Sequence, residues 1–258
     1  MPAPIFPGKS KGKPVLTPQH MLAYRKQAGL LPQGAGPEGV ILCLQKGLPE
    51  LQKRRHPFRK IGRINGDLYS LKETKGRVMV ATNFGLGSPQ MAALAEELIA
   101  WGARKLVSLS MSGGIQPDLN SGDLVVCERA LRDEGTSYHY LPPADYVDAD
   151  PALVSSLRAA LHKDGHTHQL GTTWTTDATF RETDLEVEHY QAAGIKTVEM
   201  ESAALFAVAQ LHGVEAASIF VVGDSLAGGV WRPPNDYRLL DRSFGLAYDA
   251  AIRALSAP

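Results

Sequence analysis

Residues 195–229 constrain the fold more than any other stretch. Residues 195–198 are a short apolar run, long enough for a buried strand, and Glu199-Met200-Glu201 follows directly. Residues 201–211 place Ala204, Leu205, Val208 and Leu211 on one helical face, and Gly213 is a natural stop. Residues 216–222 are a second apolar run, ending in Gly223-Asp224. Strand, helix and strand at this spacing predict a βαβ unit with two parallel neighbouring strands. Both strands would then end at one edge of the sheet, beyond which α/β proteins bind ligands. Glu199, Glu201 and Asp224 are therefore expected to converge on a site.

The rest of the chain reads as alternating strands and helices. Thr17-Pro18 is an N-cap followed by proline at the first helical position, and Asp150-Pro151 repeats the device. Apolar runs at 40–44, 78–81, 105–110 and 170–176 read as strands. Gly85-Leu86-Gly87-Ser88-Pro89 reads as a turn into a helix capped by Ser88, whose N-terminus favours an anion. Residues 128–149 are polar and aromatic, as in loops that close over sites. A terminal helix over about residues 237–255 has Leu240, Phe244, Ala247, Ala251 and Leu255 near one face.

Val-Glu-Met-Glu-Ser-Ala-Ala at 198–204, with a strand ending in Asp224 a helix later, resembles the nucleoside phosphorylase superfamily. That family holds purine nucleoside phosphorylases, uridine phosphorylases and methylthioadenosine/adenosylhomocysteine nucleosidases. Ser-Gly-Gly-Ile-Gln-Pro at 112–117 and Gly-Asp-Leu-Val-Val at 122–126 extend the resemblance to roughly residues 40–225. It implies one α/β domain over residues 40–258, with a central mixed, twisted and partly closed sheet flanked by helices. An N-terminal arm and helix would occupy residues 1–39.

The resemblance also implies the site. Glu199, Met200 and Glu201 would bind the ribose, with Glu201 catalytic and Met200 an apolar wall under the sugar. Asp224 would be the general acid at the leaving base, helped by burial that raises a carboxyl pKa. An Asp here implies a purine nucleoside, with pyrimidines kept open. Thr179, Phe180 and Arg181 would meet the base; the alternative for Phe180 is a core residue under its loop. Gly85, Gly87, Ser110, Met111 and Ser112 would hold phosphate or water. Family members that use phosphate carry arginines where this chain has Leu48 and Ser108. Phosphate as co-substrate and water as nucleophile both stay open, as does a catalytically degenerate nucleoside-binding protein. Arg54, Arg55, Arg59, Lys60 and Arg63 read as a solvated basic face or as displaced phosphate ligands. The family forms dimers or hexamers with shared sites, so a homo-oligomer is expected, with His20 a candidate lender to a neighbour.

Composition bounds the remaining classes. A formal net charge of zero argues against a nucleic-acid binder. Hydrophobic content of 44% supports a sizeable core, and Cys43 and Cys127 in apolar contexts read as buried free thiols. His166 and His168 have no third ligand nearby, so no metal is expected. No apolar run approaches a membrane span and no secretory leader pattern opens the sequence, so a soluble cytoplasmic protein without a membrane partner is expected.

Overall fold

The computed structural model describes residues 6, 9, 12–32 and 34–257. Most of the arm expected at residues 1–16 lies outside these. In chain order the elements are α1 (Pro18–Gln27), β1 (Gly39–Cys43), α2 (Leu48–Gln52), β2 (Phe58–Arg63), β3 (Asp67–Leu71), β4 (Val78–Thr82), α3 (Ser88–Trp101) and β5 (Lys105–Gly114). There follow β6 (Leu124–Asp133), β7 (Tyr146–Asp148), α4 (Pro151–Lys163), β8 (Gln169–Thr176), α5 (Asp184–Ala192), β9 (Thr197–Glu199), α6 (Ser202–His212), β10 (Glu215–Ser225) and α7 (Tyr237–Ser256).

The strands form one mixed sheet around β5. One edge of β5 pairs in parallel with β10. Its first half also pairs in parallel with β1, and its last residues, Gly113 and Gly114, pair antiparallel with β9. The ring β5–β10–β6–β8–β9 returns to β5, so this half of the sheet closes on itself. The other half opens outward through β1, β4, β3 and β2. β1 and β4 are buried at every position, as parallel strands covered on both faces must be. Helix α7 buries Leu240, Phe244, Ala247, Ala251 and Leu255, the face expected from the sequence, against α4, β10 and β5.

The expected pairing of the two signature strands is not what forms. β9 and β10 are not neighbours: both lie beside β5, β10 parallel to it and β9 antiparallel. The reason is the tight approach at the end of β5. A Cβ on Gly113 would stand 2.6 Å from Leu226 Cδ1 and 3.0 Å from Val198 Cγ1, so the missing side chain lets β9 and the residues after β10 close over β5 from opposite sides. Glu199 and Asp224 still meet, because β9 delivers its turn to the carboxyl ends of β5 and β10 from the opposite direction.

The hairpin β2–β3 was not expected. Its turn carries Asn65 at φ 50° followed by Gly66, the pair that most favours tight reversals. The register slips between Lys60 and Gly62, so the alternation of apolar residues is broken and only a basic run shows in sequence. This hairpin also anchors α1, which buries no residue of its own. On α3 the buried Glu97 accepts from Arg25 Nε at 2.7 Å and from Asn65 Nδ2 at 2.7 Å, joining α1, the hairpin turn and α3. Cys43 and Cys127 are buried and free. No helix of the described residues is long and apolar enough to cross a membrane.

His56 ties this half of the sheet to α7. Its Nδ1 meets Glu73 Oε1 at 2.6 Å and its Nε2 meets Asp249 Oδ1 at 2.5 Å, while Arg55 pairs with the other Asp249 oxygen. Burial lowers the imidazole pKa, but the bonds and charges of Asp249 and Glu73 outweigh it and the net shift is upward. A histidine whose folded pKa is raised contributes stability below its unfolded value of about 6.5, and the contribution is lost as pH climbs through the folded value. The melting temperature should therefore fall as pH rises from about 6 through the folded value, by roughly 2–4 °C per kcal/mol lost. His56→Gln should flatten that slope in a thermal melt series; an unchanged slope would remove His56 from the account.

Candidate active site

The site is organised by Glu199, the last residue of β9. Its Oε1 accepts the Thr175 hydroxyl at 2.5 Å, and its Oε2 accepts the backbone amides of Glu201 at 2.9 Å and Ser202 at 2.8 Å. These amides open α6, whose N-cap position, Glu201, makes no side-chain cap of its own. The Glu199 carboxylate therefore satisfies the helix N-terminus and leaves the Glu201 side chain free to turn elsewhere. Burial pushes the Glu199 pKa upward against those three bonds.

Glu201 turns towards the glycine turn. Its Oε1 accepts the Gly87 amide at 2.7 Å and its Oε2 accepts the Met200 amide at 3.3 Å. Ser88 donates its hydroxyl to the Met200 carbonyl at 2.8 Å. Gly87, at φ 92°, is thus the N-cap of α3, and Ser88 is a clamp on the Glu-Met-Glu turn, not the cap expected from sequence. The Gly87 amide, expected for phosphate or water, is held by the chain's own carboxylate, and Gly85 and Gly87 do not line the cavity. Glu201 is 4% exposed; burial first, then the neighbouring Glu199 charge, raises its pKa.

Beside these groups is a cavity of about 300 Å³. Met200, Val198 and Leu226 give it an apolar wall. Gln45, Ser110, Ser112, Thr179, Glu182 and Asp224 add polar groups to its lining. Ser110 and Ser112 alternate along β5, and both hydroxyls are buried without a partner among the described residues. Met111 lines the cavity too, 45% exposed. Among the described residues, four carboxylates, Glu182, Glu199, Glu201 and Asp224, line the cavity, and no lysine or arginine does. A second cavity of about 500 Å³ lies against Asp224, but it holds none of the other three carboxylates.

Other expected residues lie elsewhere. Asp224 is half-buried, not buried, and its Oδ2 accepts the Trp231 indole N–H at 2.6 Å. Of the three base-site residues only Thr179 lines the cavity; Phe180 is 100% exposed, which excludes the core alternative, and Arg181 is exposed and outside the lining. Leu48 and Ser108 are buried away from the cavity. Arg55 pairs with Asp249, and Lys60 and Arg63 reach Asp67. His20 is exposed and closes a capping box with Thr17 on α1. The loop after β6 folds back on Arg132, which donates to Ser137 Oγ and the Pro142 carbonyl, and supplies no residue to the cavity. Among the described residues no cluster of histidine, cysteine or carboxylate could hold a metal ion.

Sequence reasoning missed Glu182 and Trp231. Glu182 follows the turn already singled out at 179–181, so an acid next to a base-site turn was the available signal. Trp231 lies beyond the strand that ends at Asp224, where no sequence pattern marked it.

Comparison with known proteins identifies the family. A family model described as "Phosphorylase superfamily" matches residues 39–253. The chain belongs to this superfamily. Among similar sequences, uridine phosphorylase from Salmonella typhimurium is 29% identical over 161 residues, covering 57% of this chain and 64% of that protein. Guanosine phosphorylase from Halorubrum lacusprofundi is 32% identical over 156 residues, covering 60% of this chain and 64% of that protein. The chain thus covers less than two thirds of the length of these relatives. Among solved structures, uridine phosphorylase from Vibrio fischeri superposes with a TM-score of 0.72 at 25% identity, over 86% of this chain and 90% of that one. AMP nucleosidase from Bacteroides thetaiotaomicron gives a TM-score of 0.72 at 18% identity, over 91% of this chain and 96% of that one, a likeness of fold alone.

Thr175 is the donor on which Glu199 depends, and its oxygen also accepts the Ala203 amide at 3.1 Å. Thr175→Val keeps the shape and removes both bonds, leaving a buried carboxylate and an amide short of partners. Denaturant unfolding should show a loss of about 1–3 kcal/mol; a neutral result would mean that Glu199 is held by the α6 amides alone.

Proposed function

We propose that this protein cleaves the N-glycosidic bond of a nucleoside. The observation that carries the reading is the placement of Glu201, buried and fixed by two backbone amides, across one cavity from Asp224. Bond cleavage builds positive charge on the sugar and negative charge on the departing base. A fixed carboxylate that takes the ribose hydroxyls stabilises charge present only in the transition state. Met200 lies under the sugar, Glu199 holds the turn, and Asp224 with Thr179 faces the base. Asp224 at the base end supports a purine, whose ring nitrogens take up a proton on leaving. Phe180, fully exposed beside Thr179, supports a homo-oligomer in which a second copy covers the mouth; light scattering tests that.

The lining bears on the acceptor. A phosphate dianion entering this cavity meets four carboxylates and, among the described residues, no lysine or arginine. Each absent arginine removes about 1.5–3 kcal/mol of charged hydrogen bonding, so two together weaken phosphate by roughly two to four powers of ten. Ser110 and Ser112 offer neutral donors to either acceptor. The reading is therefore a phosphorylase-type reaction with an atypical, weak phosphate site, and hydrolysis by water is the second reading that the same lining favours. A nucleoside panel run with and without phosphate decides between them: free ribose regardless of phosphate supports water, while ribose 1-phosphate saturating at micromolar phosphate would require a cation from a neighbouring copy. No turnover of any nucleoside would leave a binding protein.

Glu201→Gln keeps shape and removes charge. Turnover should drop by about 2–4 kcal/mol in the barrier, roughly thirty- to a thousand-fold, with the melting temperature little changed. Because Glu201 must be charged and its pKa is raised, wild-type activity should fall on acidification at a pH above the ordinary carboxylate range. Near-wild-type rates in this variant would refute the assignment.

A further inference from the structure

We propose that Glu182, not assigned by the sequence, carries the proton that the leaving base receives, as one member of a carboxylate pair with Asp224. The inference rests on the glycosidic reading above and deepens its base end. Both side chains line the same cavity beside Thr179. The two differ in partners. Asp224 already accepts the Trp231 indole N–H, which occupies one of its oxygens and fixes its orientation. The Glu182 carboxylate makes no hydrogen bond to the described residues, is half-buried, and follows a short turn that ends at Arg181, so it is the group with a free oxygen to offer. Burial first, then the charges of Asp224 on β10 and Glu186 on α5, push Glu182 up to about 7. Glu199 and Glu201 face the cavity from the β9 turn, and no cation lines it to reverse the shift. Neighbouring negative charges favour the neutral form of a half-buried carboxyl, and Glu182 is the member without a hydrogen bond.

The step balances as follows. The C1′–N bond breaks and its electron pair stays on the base nitrogen. That nitrogen takes the proton from the Glu182 carboxyl. The acceptor oxygen, from water or phosphate, bonds to C1′ and loses its own proton, which returns to Glu182 through solvent. Trp231 holds Asp224 in place beside Glu182, whose own raised pKa keeps a proton available to the base.

The test separates this step from the reaction itself. Wild type, Glu182→Gln and Asp224→Asn are assayed across pH 5–9 on purine and pyrimidine nucleosides and on p-nitrophenyl β-D-riboside, whose leaving group needs no proton. Wild type should show a bell-shaped profile on nucleosides, with an alkaline limb near the value of Glu182, about 7. Glu182→Gln should slow nucleosides by about a hundredfold at pH 6–7, abolish the alkaline limb and leave the acid limb, within the 10²–10⁴ range of general-acid catalysis. Its rate on the p-nitrophenyl riboside should stay within a few-fold, which also reports a folded site. Asp224→Asn should move the alkaline limb to lower pH, because a charge facing Glu182 is gone. A Glu182→Gln that keeps the alkaline limb, or slows both substrate types equally at an unchanged melting temperature, overturns the inference. Should that variant melt early, Glu182→Asp carries the same test, since it retains a proton and must retain the limb. A wild type inactive on every substrate overturns the glycosidic reading, and this inference with it.

Discussion

The Glu199 carboxylate is the contact on which the site depends. It is buried, and a buried carboxylate is costly unless its oxygens are bonded. Thr175 from β8 and two amides from the start of α6 supply those bonds. One side chain thereby joins the closed half of the sheet to the helix behind it and fixes the phase at which α6 begins. Because Glu199 satisfies that helix end, Glu201 can bond to the Gly87 amide of α3 instead. Two helices are then locked at their N-termini to one turn, and the Glu201 carboxylate is positioned by backbone amides whose own geometry the sheet sets.

This arrangement explains why the glycine turn is not available to an anion. The positive end of α3 and the Gly87 N–H would attract phosphate, and the chain fills that position with Glu201. The positive potential at this helix end orients a negative group of the chain itself. Ser108 stands buried where an arginine would be expected, and the basic residues between 54 and 63 sit on or before the β2–β3 hairpin at the open edge of the sheet. Among the described residues, the charged side chains that line the cavity are consequently all carboxylates.

Much of this was legible in the sequence, because the strongest signals were local. The α6 stop at Gly213, the caps at Thr17 and Asp150 and the apolar face of α7 all follow from contacts within one element. The Glu-Met-Glu turn and Asp224 were placed together correctly, yet by the wrong topology. A strand of three residues cannot announce its partners, and β9 takes its direction from β5 and β8, far away in sequence. The hairpin was hidden by a bulge that breaks the period-two pattern, although Asn65-Gly66 marked its turn. Glu182 was invisible for a different reason: an acid after a turn reads as solvated until the cavity wall around it is known.

The electrostatics of the cavity follow from the same closure. β9 and β10 approach β5 from opposite sides, so the carboxylates at their ends line one cavity together with Val198, Met200 and Leu226. In a low-dielectric setting burial and neighbouring negative charge both raise a carboxyl pKa. Burial leads the upward shifts on Glu199, Glu201 and Glu182; the Glu199 charge adds to that of Glu201, and Asp224 and Glu186 add to that of Glu182. Glu201 and Glu182 reach their raised values in different surroundings. Glu201 accepts two backbone amides, which work against burial and the Glu199 charge. Glu182 accepts no hydrogen bond from the described residues, so nothing offsets its burial and the charges of Asp224 and Glu186. Two carboxyls of the same chemical type are thus distinguished by their hydrogen bonds within one cavity, and among the described residues no lysine or arginine lines it.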